Sequence, residues 1–121
     1  MKNRIIAVLI IGLLAIILTG CNSKSDRLSY KYGNTMIEIL NSYKDGKITA
    51  KDAGRQIDDL SDKAKAESDR IKDSDFDESH RLTMISTIGK GAYTDLYFRE
   101  SMSILSINEA IKDIEEQIKW C

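Results

Sequence analysis

The feature that most limits the fold of this 121-residue chain is a helical repeat of apolar residues in a sequence without proline. From residue 27 onwards, apolar side chains recur every three or four positions, which is the spacing of one face of an α-helix. Proline breaks helix interiors because it lacks an N–H donor and its ring clashes with the preceding turn. Narrow apolar stripes opposite charged faces therefore predict an all-α fold, a small antiparallel helical bundle of three or four helices.

Two helices are predicted in the first half of this domain. The first spans residues 27–44 and ends near Gly46, because glycine readily takes the left-handed conformation that closes a helix. Thr49 offers an N-cap oxygen to the second helix, which continues to residue 72. So short a connection makes the two helices antiparallel neighbours. Their apolar positions are Leu28, Tyr32, Met36, Ile39, Leu40 and Tyr43, then Ala50, Ala53, Ile57, Leu60, Ala64 and Ile71.

The second half of the domain has less definite helix ends. Residues 73–78 form an acidic connector, which we expect to be solvated at the partly positive N-terminal end of a third helix. Each glycine costs roughly 1 kcal/mol inside a helix, so a kink or break is expected near Gly89 and Gly91. Either Ser106 and Glu109 cap a separate fourth helix, or one long helix continues through residues 98–103. The apolar positions are Leu82, Ile85, Ile88, Ala92, Leu96, Ile107, Ile111, Ile114 and Ile118.

The first twenty residues form a different kind of segment. Lys2 and Arg4 precede an apolar run over residues 5–18, and small residues follow, which is the order of an export signal. Fourteen helical residues reach roughly 21 Å at about 1.5 Å per residue, whereas a bilayer core needs about 30 Å. Because the run is short for a membrane span, export is the better interpretation.

A specific motif stands at the end of this segment. Leu18, Thr19 and Gly20, followed by Cys21, resemble the lipobox of bacterial lipoprotein precursors. The resemblance covers only the leader, and it implies that the signal peptidase recognises Leu18, Thr19 and Gly20. It also implies that the Cys21 thiol receives a diacylglycerol group and that cleavage leaves Cys21 as the first mature residue. Two acyl chains give a firm anchor, whereas one chain alone binds membranes only marginally.

The resemblance divides the chain into three parts: a signal peptide over residues 1–20, a lipidated tether over residues 21–26 and a helical bundle domain over residues 27–121. The mature protein is then expected on the extracytoplasmic face of the cell membrane, anchored by lipid. An uncleaved membrane anchor and an ordinary secretory signal are the alternatives. The position of Cys21 directly after the apolar run argues against both.

Charge and cysteine content limit the partners of the mature chain. Without Lys2 and Arg4, it has sixteen basic and nineteen acidic side chains, a formal charge near −3. No basic surface for nucleic acid or anionic lipid is predicted, so attachment should depend on the lipid. Lipidation of Cys21 would leave Cys121 as an odd exported thiol, either a tolerated terminal residue or the site of a disulfide dimer.

Two segments resemble calcium loops only in part. Within residues 41–52, oxygen ligands, a glycine and an aliphatic residue take EF-hand positions at Asn41, Asp45, Gly46, Ile48 and Asp52. Tyr43 occupies the third position, where a phenol is a poor ligand for a hard cation, and a helix ending at Gly46 already explains the glycine. Asp73, Asp75 and Asp77 alternate, but the glycine and final acid of such a loop are missing. No metal site is therefore predicted.

No set of catalytic side chains stands out either. His80 is the only histidine, and Cys21 is expected to be lipidated, so neither a zinc cluster nor a cysteine–histidine pair is easily built. Gly89, Lys90 and Gly91 lack the strand and glycine spacing of a phosphate loop. Aromatic residues are a candidate lining for a ligand groove, although at helical spacing they belong more often to the core or its rim. They are Tyr30, Tyr32, Tyr43, Tyr93, Tyr97, Phe98 and Trp120.

These observations predict a membrane-anchored envelope lipoprotein that is not an enzyme, needs no cofactor and serves as a protein-interaction module. A helical bundle suits this role because it offers grooves and flat helix faces to a partner. A lipoprotein that binds a small ligand or a divalent metal is one alternative. An exclusion or immunity lipoprotein of a mobile element is another, which rests on analogy alone.

Overall fold

A computed structural model describes residues 27–119, which form four α-helices arranged up and down as an antiparallel bundle. The helices are α1 (Leu28–Lys44), α2 (Ala50–Ile71), α3 (Phe76–Tyr93) and α4 (Ile104–Ile118), and a π-helical segment, Thr94–Phe98, directly follows α3. The predicted all-α bundle is confirmed, with a separate fourth helix. Several residues singled out above lie outside the described part of the chain: Leu18, Thr19, Gly20, Cys21, Trp120 and Cys121.

The core lies where the apolar stripes of the four helices meet. Met36 and Leu40 of α1, Ile57 of α2, Ile85 of α3 and Ile114 of α4 are fully buried and belong to one cluster. Burial of an aliphatic side chain stabilises a fold by about 1.5–3 kcal/mol. Packing of these stripes therefore contributes more to helix stability than intrinsic propensity does. None of the helices between residues 27 and 119 has the length and apolarity to cross a bilayer.

The contact between α2 and α3 is built from small side chains. Ser86 Oγ donates a hydrogen bond of 2.8 Å to the Ser61 carbonyl. Ser68 and Ser79 each donate from the hydroxyl to the other's carbonyl, at 2.7 and 2.8 Å. Throughout residues 27–119, no buried side-chain nitrogen or oxygen lacks a hydrogen-bond partner. Serine thus lets the two backbones approach closely without leaving buried polar groups unsatisfied.

Helix α3 differs from its predicted course at both of its ends. It begins at Phe76, because the Asp75 side chain accepts a hydrogen bond of 3.1 Å from the Glu78 N–H and acts as N-cap. No break occurs at Gly89 or Gly91, and the helix continues to Tyr93. The expected break was wrong because Gly89 lies tightly against α2, where close packing offsets the poor helix propensity of glycine.

The start of α4 also differs from the prediction. Ser103 is the N-cap, and its Oγ accepts a hydrogen bond of 3.1 Å from the Ser106 N–H. Ser106 and Glu109 are therefore not the capping pair, and the helix starts at Ile104. The cap at Ser103 comes directly after a short irregular stretch, residues 99–103, which separates α4 from the π-helical segment.

Candidate functional site

The two ends of the bundle expose different side chains. The N-terminus of α1 and the connection between α2 and α3 lie at one end, the N-terminal end. The π-helical segment and the start of α4 lie at the opposite end, which we call the aromatic end. Large exposed apolar side chains at the aromatic end are Phe98 (68 % exposed), Ile104 (65 %) and Leu105 (70 %), and at the N-terminal end Phe76 (73 %). The aromatic end therefore carries a group of exposed apolar residues.

Three aromatic rings pack together at the aromatic end. The ring centroids of Tyr93, Tyr97 and Phe98 lie 5.3–5.6 Å apart, and Phe98 meets both tyrosines nearly edge to face. Such tilted arrangements are those that aromatic quadrupoles favour. The Nζ atoms of Lys51 and Lys90 lie 5.8 Å from the ring centroids of Tyr97 and Tyr93, within cation–π range. The π-helical turn creates this cluster, and π-helical turns are frequent at functional sites.

A glycine on α2 makes room for the π-helical segment. A Cβ atom at Gly54 would lie 3.1 Å from Tyr97 Cβ and 3.2 Å from its backbone nitrogen. Leu96, in the same segment, is fully buried in the core. The segment is thus packed between Gly54 and the core, which directs Phe98 outward. Sequence reasoning missed this segment, and Gly54 on an otherwise apolar helix face was the available signal.

Residues 99–103 are held by contacts with α1 and α2. Glu100 has a φ of +58°, which is uncommon for a residue other than glycine. Its carboxylate lies 3.0 Å from Lys51 Nζ, and the hydrogen bond with Glu100 raises the pKa of Lys51. The Met102 N–H donates a hydrogen bond of 3.3 Å to the Tyr43 hydroxyl. These contacts join the loop to α2 and α1 between the exposed residues on either side of it.

The partial calcium loops form helix ends in this structure. Asn41 and Tyr43 belong to the last turns of α1, and Gly46, with a φ of 76°, follows the helix in the left-handed region. The Asp52 carboxylate is bonded to Arg55, which lowers the pKa of Asp52. Over the described residues, no three His, Cys, Asp or Glu side chains are grouped as they would be to hold a metal ion.

Glu78 departs from the expected solvated connector. Asp73, Asp75 and Asp77 are exposed as predicted, whereas Glu78 is only 6 % exposed. Its carboxylate accepts hydrogen bonds from Ser29 on α1. The prediction was wrong for Glu78 because the first turn of α3 directs this side chain towards α1.

The remaining candidate residues are spread over the bundle. His80 is exposed at the N-terminal end and stacks with Phe76 at a centroid distance of 6.4 Å. Lys90 binds Asp58 and Asp62 of α2, so it joins two helices rather than belonging to a phosphate loop. Tyr30 lies near the N-terminal end, far from the aromatic cluster. The described aromatic side chains therefore do not line one groove.

Comparisons with known proteins found no match for this chain. No protein-family model, no curated protein and no solved structure matches the chain. The candidate site consequently rests on the geometry and chemistry of the aromatic end itself.

Proposed function

We propose that this chain is a non-enzymatic lipoprotein of the cell envelope, anchored through lipid on Cys21, whose aromatic end binds a protein partner. The observation that carries the proposal is the exposure of Phe98, Ile104 and Leu105 at the end opposite residue 27. The 17 residues of α1 rise about 26 Å at about 1.5 Å per residue. An anchor joined to residue 27 through a short tether would leave the aromatic end directed away from the membrane.

The chemistry of the aromatic end favours a protein as the partner. Single exposed apolar residues are ordinary on protein surfaces, whereas grouped apolar residues rimmed by polar ones mark interaction sites. Aromatic side chains are frequent among the residues that dominate binding energy. The rim carries both signs of charge, in Lys51, Arg99 and Glu100. A mixed rim matches a protein surface better than the uniformly negative surface of a nucleic acid or an anionic membrane.

The arrangement of the aromatic end also reduces the cost of binding. Ordering a mobile loop on association costs about 0.5–1.5 kcal/mol for each immobilised side chain. Phe98 is packed edge to face against Tyr93 and Tyr97 before any partner arrives. Glu100 and Met102 tie the following loop to α2 and α1. Much of the ordering of Phe98 and the following loop is therefore already present in the unbound protein.

The anchor is tested by replacing the lipidated cysteine. Cells that express the Cys21→Ala variant are labelled with radioactive palmitate and separated into membrane and soluble fractions. We expect loss of label and loss of membrane partitioning, because the variant has no thiol to acylate. The Cys121→Ala variant is the matched control and should keep both. Equal labelling and partitioning of the Cys21 variant would refute the lipid anchor.

The binding surface is tested by a double substitution, Phe98→Ser with Leu105→Ser. Both side chains are mostly exposed, so the fold should persist, and the thermal midpoint should fall only through loss of the Phe98 ring contacts. Crosslinking in intact cells should lose the adduct that the wild-type lipoprotein forms. Phe76→Ser is the matched control, because Phe76 is equally exposed at the N-terminal end. An adduct unchanged by the double substitution, or purified protein that turns over a substrate and crosslinks to nothing, would contradict the proposal.

A further inference from the structure

A continuous groove runs between α3 and α4 on one side of the bundle. Two open depressions, of about 330 and 410 Å³, share Ile88 and Asp113 and so join end to end. From Met84 to Asp95 the groove extends along eleven residues of helix. At about 1.5 Å per residue this is a length of about 17 Å, or roughly three turns. Its apolar lining consists of Met84, Ile88, Ala92, Met102 and Ala110.

Gly91 lines this groove, and the packing of the bundle does not require it. At Gly33, Gly54 and Gly89, a Cβ atom would come within 2.7, 3.1 and 2.1 Å of a packed neighbour. At Gly91 no such atom lies within 4 Å. Glycine inside a helix costs about 1 kcal/mol relative to alanine, so Gly91 destabilises α3 without improving its packing. What it does provide is close access to the helix backbone from the groove.

The charged residues of the groove are all acidic. Asp95, Glu109, Asp113 and Glu116 line it, together with no lysine, arginine or histidine. Arg99 lies 3.7 Å from Asp95, and Lys119 lies 2.6 Å from Glu116. Among residues 27–119, no ion pair involves Glu109 or Asp113. A groove lined by both apolar and acidic side chains is the complement of an apolar stripe bordered by lysine and arginine.

We infer that the groove between α3 and α4 binds an amphipathic helix of a partner protein, about three turns long and basic along the edges of its apolar face. Helices bind such grooves through apolar residues spaced three or four apart. Met84 and Met102 suit this role because methionine adapts its shape to a partner. Basic side chains of the helix would pair with Glu109 and Asp113. The inference rests on the proposed interaction role and specifies the partner's chemistry.

The test uses two synthetic peptides and the full lipidated protein in detergent. Both peptides are fourteen-residue amphipathic helices with the same leucine face, one flanked by lysine and the other by glutamate. Fluorescence anisotropy should show at least tenfold tighter binding of the lysine peptide. Added salt should reduce that difference, because exposed charges are screened. Equal binding of the two peptides would overturn the inference.

The matched variants separate groove binding from fold stability. Gly91→Gln places a long side chain in the groove where no atom obstructs its Cβ, so the thermal midpoint should hold or rise. Its affinity for the lysine peptide should fall at least tenfold. Glu38→Gln, at an exposed position on α1 outside the groove, should bind as wild type does. Unchanged affinity in the Gly91→Gln variant would overturn the inference. It would also be overturned if the wild-type protein formed a dimer without peptide and Gly91→Gln dissociated that dimer, because the groove would then bind a second copy of the chain.

The same variants distinguish this inference from the proposed function. If Phe98→Ser with Leu105→Ser abolishes the cellular adduct while Gly91→Gln leaves both adduct and peptide binding intact, only the groove inference fails. If neither variant affects the adduct and the lysine peptide does not bind, both proposals fail. If Gly91→Gln loses peptide binding and the double variant keeps it, the result supports the groove as the site that binds the helix.

Discussion

The carboxylate of Glu78 on α3 caps the N-terminus of α1 by accepting hydrogen bonds from the N–H and the hydroxyl of Ser29, at 3.2 and 2.6 Å. The N-cap residue of α1, Arg27, makes no side-chain capping bond of its own. A helix N-terminus attracts a negative charge because its first N–H groups are unsatisfied within the helix. A residue 49 positions away in the chain therefore stabilises the first turn of α1. Under the proposed lipid anchor, this would be the point where the tether meets the fold.

Removal of this carboxylate should destabilise the bundle. Glu78→Ala leaves the buried Ser29 hydroxyl and N–H without their acceptor. Hydrogen bonds to charged groups contribute about 1.5–3 kcal/mol to stability. We expect the free energy of unfolding in urea to fall by about 2–3 kcal/mol. Glu78→Gln should cost less, since its amide oxygen still accepts a hydrogen bond.

The matched control for this prediction is Glu38→Ala. Glu38 is an exposed glutamate on α1, so its loss should change stability by less than about 0.5 kcal/mol. A Glu78→Ala variant as stable as the Glu38→Ala variant would show that the cap contributes nothing to folding.

Two glycines on α3 should respond oppositely to the same substitution. A Cβ atom at Gly89 would lie 2.1 Å from Ser61 Oγ and 2.7 Å from Met36 Cε, so two packed side chains would have to move. Overpacking of this kind costs about 1–3 kcal/mol. Gly91→Ala meets no such atom and should stabilise the helix by up to about 1 kcal/mol. Chemical denaturation of the two variants checks this, and a stabilised Gly89→Ala protein would contradict the close α2–α3 packing.

The sequence predicts those features of the fold that local periodicity determines. Met36, Ile57, Ile85 and Ile114 were assigned to apolar stripes from their spacing, and all four are buried in the core. A helix repeats every 3.6 residues, so the buried face can be read within each segment alone. The turn at Gly46 was predictable for the same reason, because its backbone requirement is local.

The features that sequence reasoning missed depend on contacts between distant segments. Burial of Glu78 depends on Ser29 of α1, and the close packing of Gly89 depends on Ser61 of α2. The π-helical segment was hidden because Leu96 continues the apolar spacing of an ordinary α-helix. The spacing of residues within one segment does not show which side chains of another segment will contact it.

The start of α4 gives a test of two competing caps. Ser103 and Ser106 both precede helix-forming residues, but only Ser103 Oγ accepts the Ser106 N–H at the helix start. Ser103→Ala should therefore reduce stability by about 1 kcal/mol, the usual cost of losing an N-cap. Ser106→Ala should have a smaller effect, since its hydroxyl bonds only to Ser103 Oγ among the described contacts. Thermal unfolding of the two variants decides between the caps, and a larger loss from Ser106→Ala would reverse the assignment.

The contribution of Lys90 to stability should decrease as the pH rises. Its ammonium bonds to Asp58 and lies 2.7 Å from Asp62, and these hydrogen bonds raise the pKa of Lys90 in the folded state. A raised folded pKa contributes stability that is fully present below the ordinary lysine pKa and is lost as pH rises through the raised value. Lys90 is nearly half exposed, so solvent screening limits the contribution to about 1 kcal/mol or less.

We therefore expect Lys90→Met to lower the free energy of unfolding by at most about 1 kcal/mol near neutral pH. The difference from wild type should shrink once the pH exceeds the raised pKa, because the wild-type ammonium is then deprotonated too. Lys112→Met, at an exposed position on α4, is the control and should show little difference at either pH. Urea unfolding of the three proteins at neutral and strongly alkaline pH makes the comparison. A Lys90→Met deficit that persists undiminished in alkali would mean that packing of the lysine stem, and not its charge, joins α3 to α2.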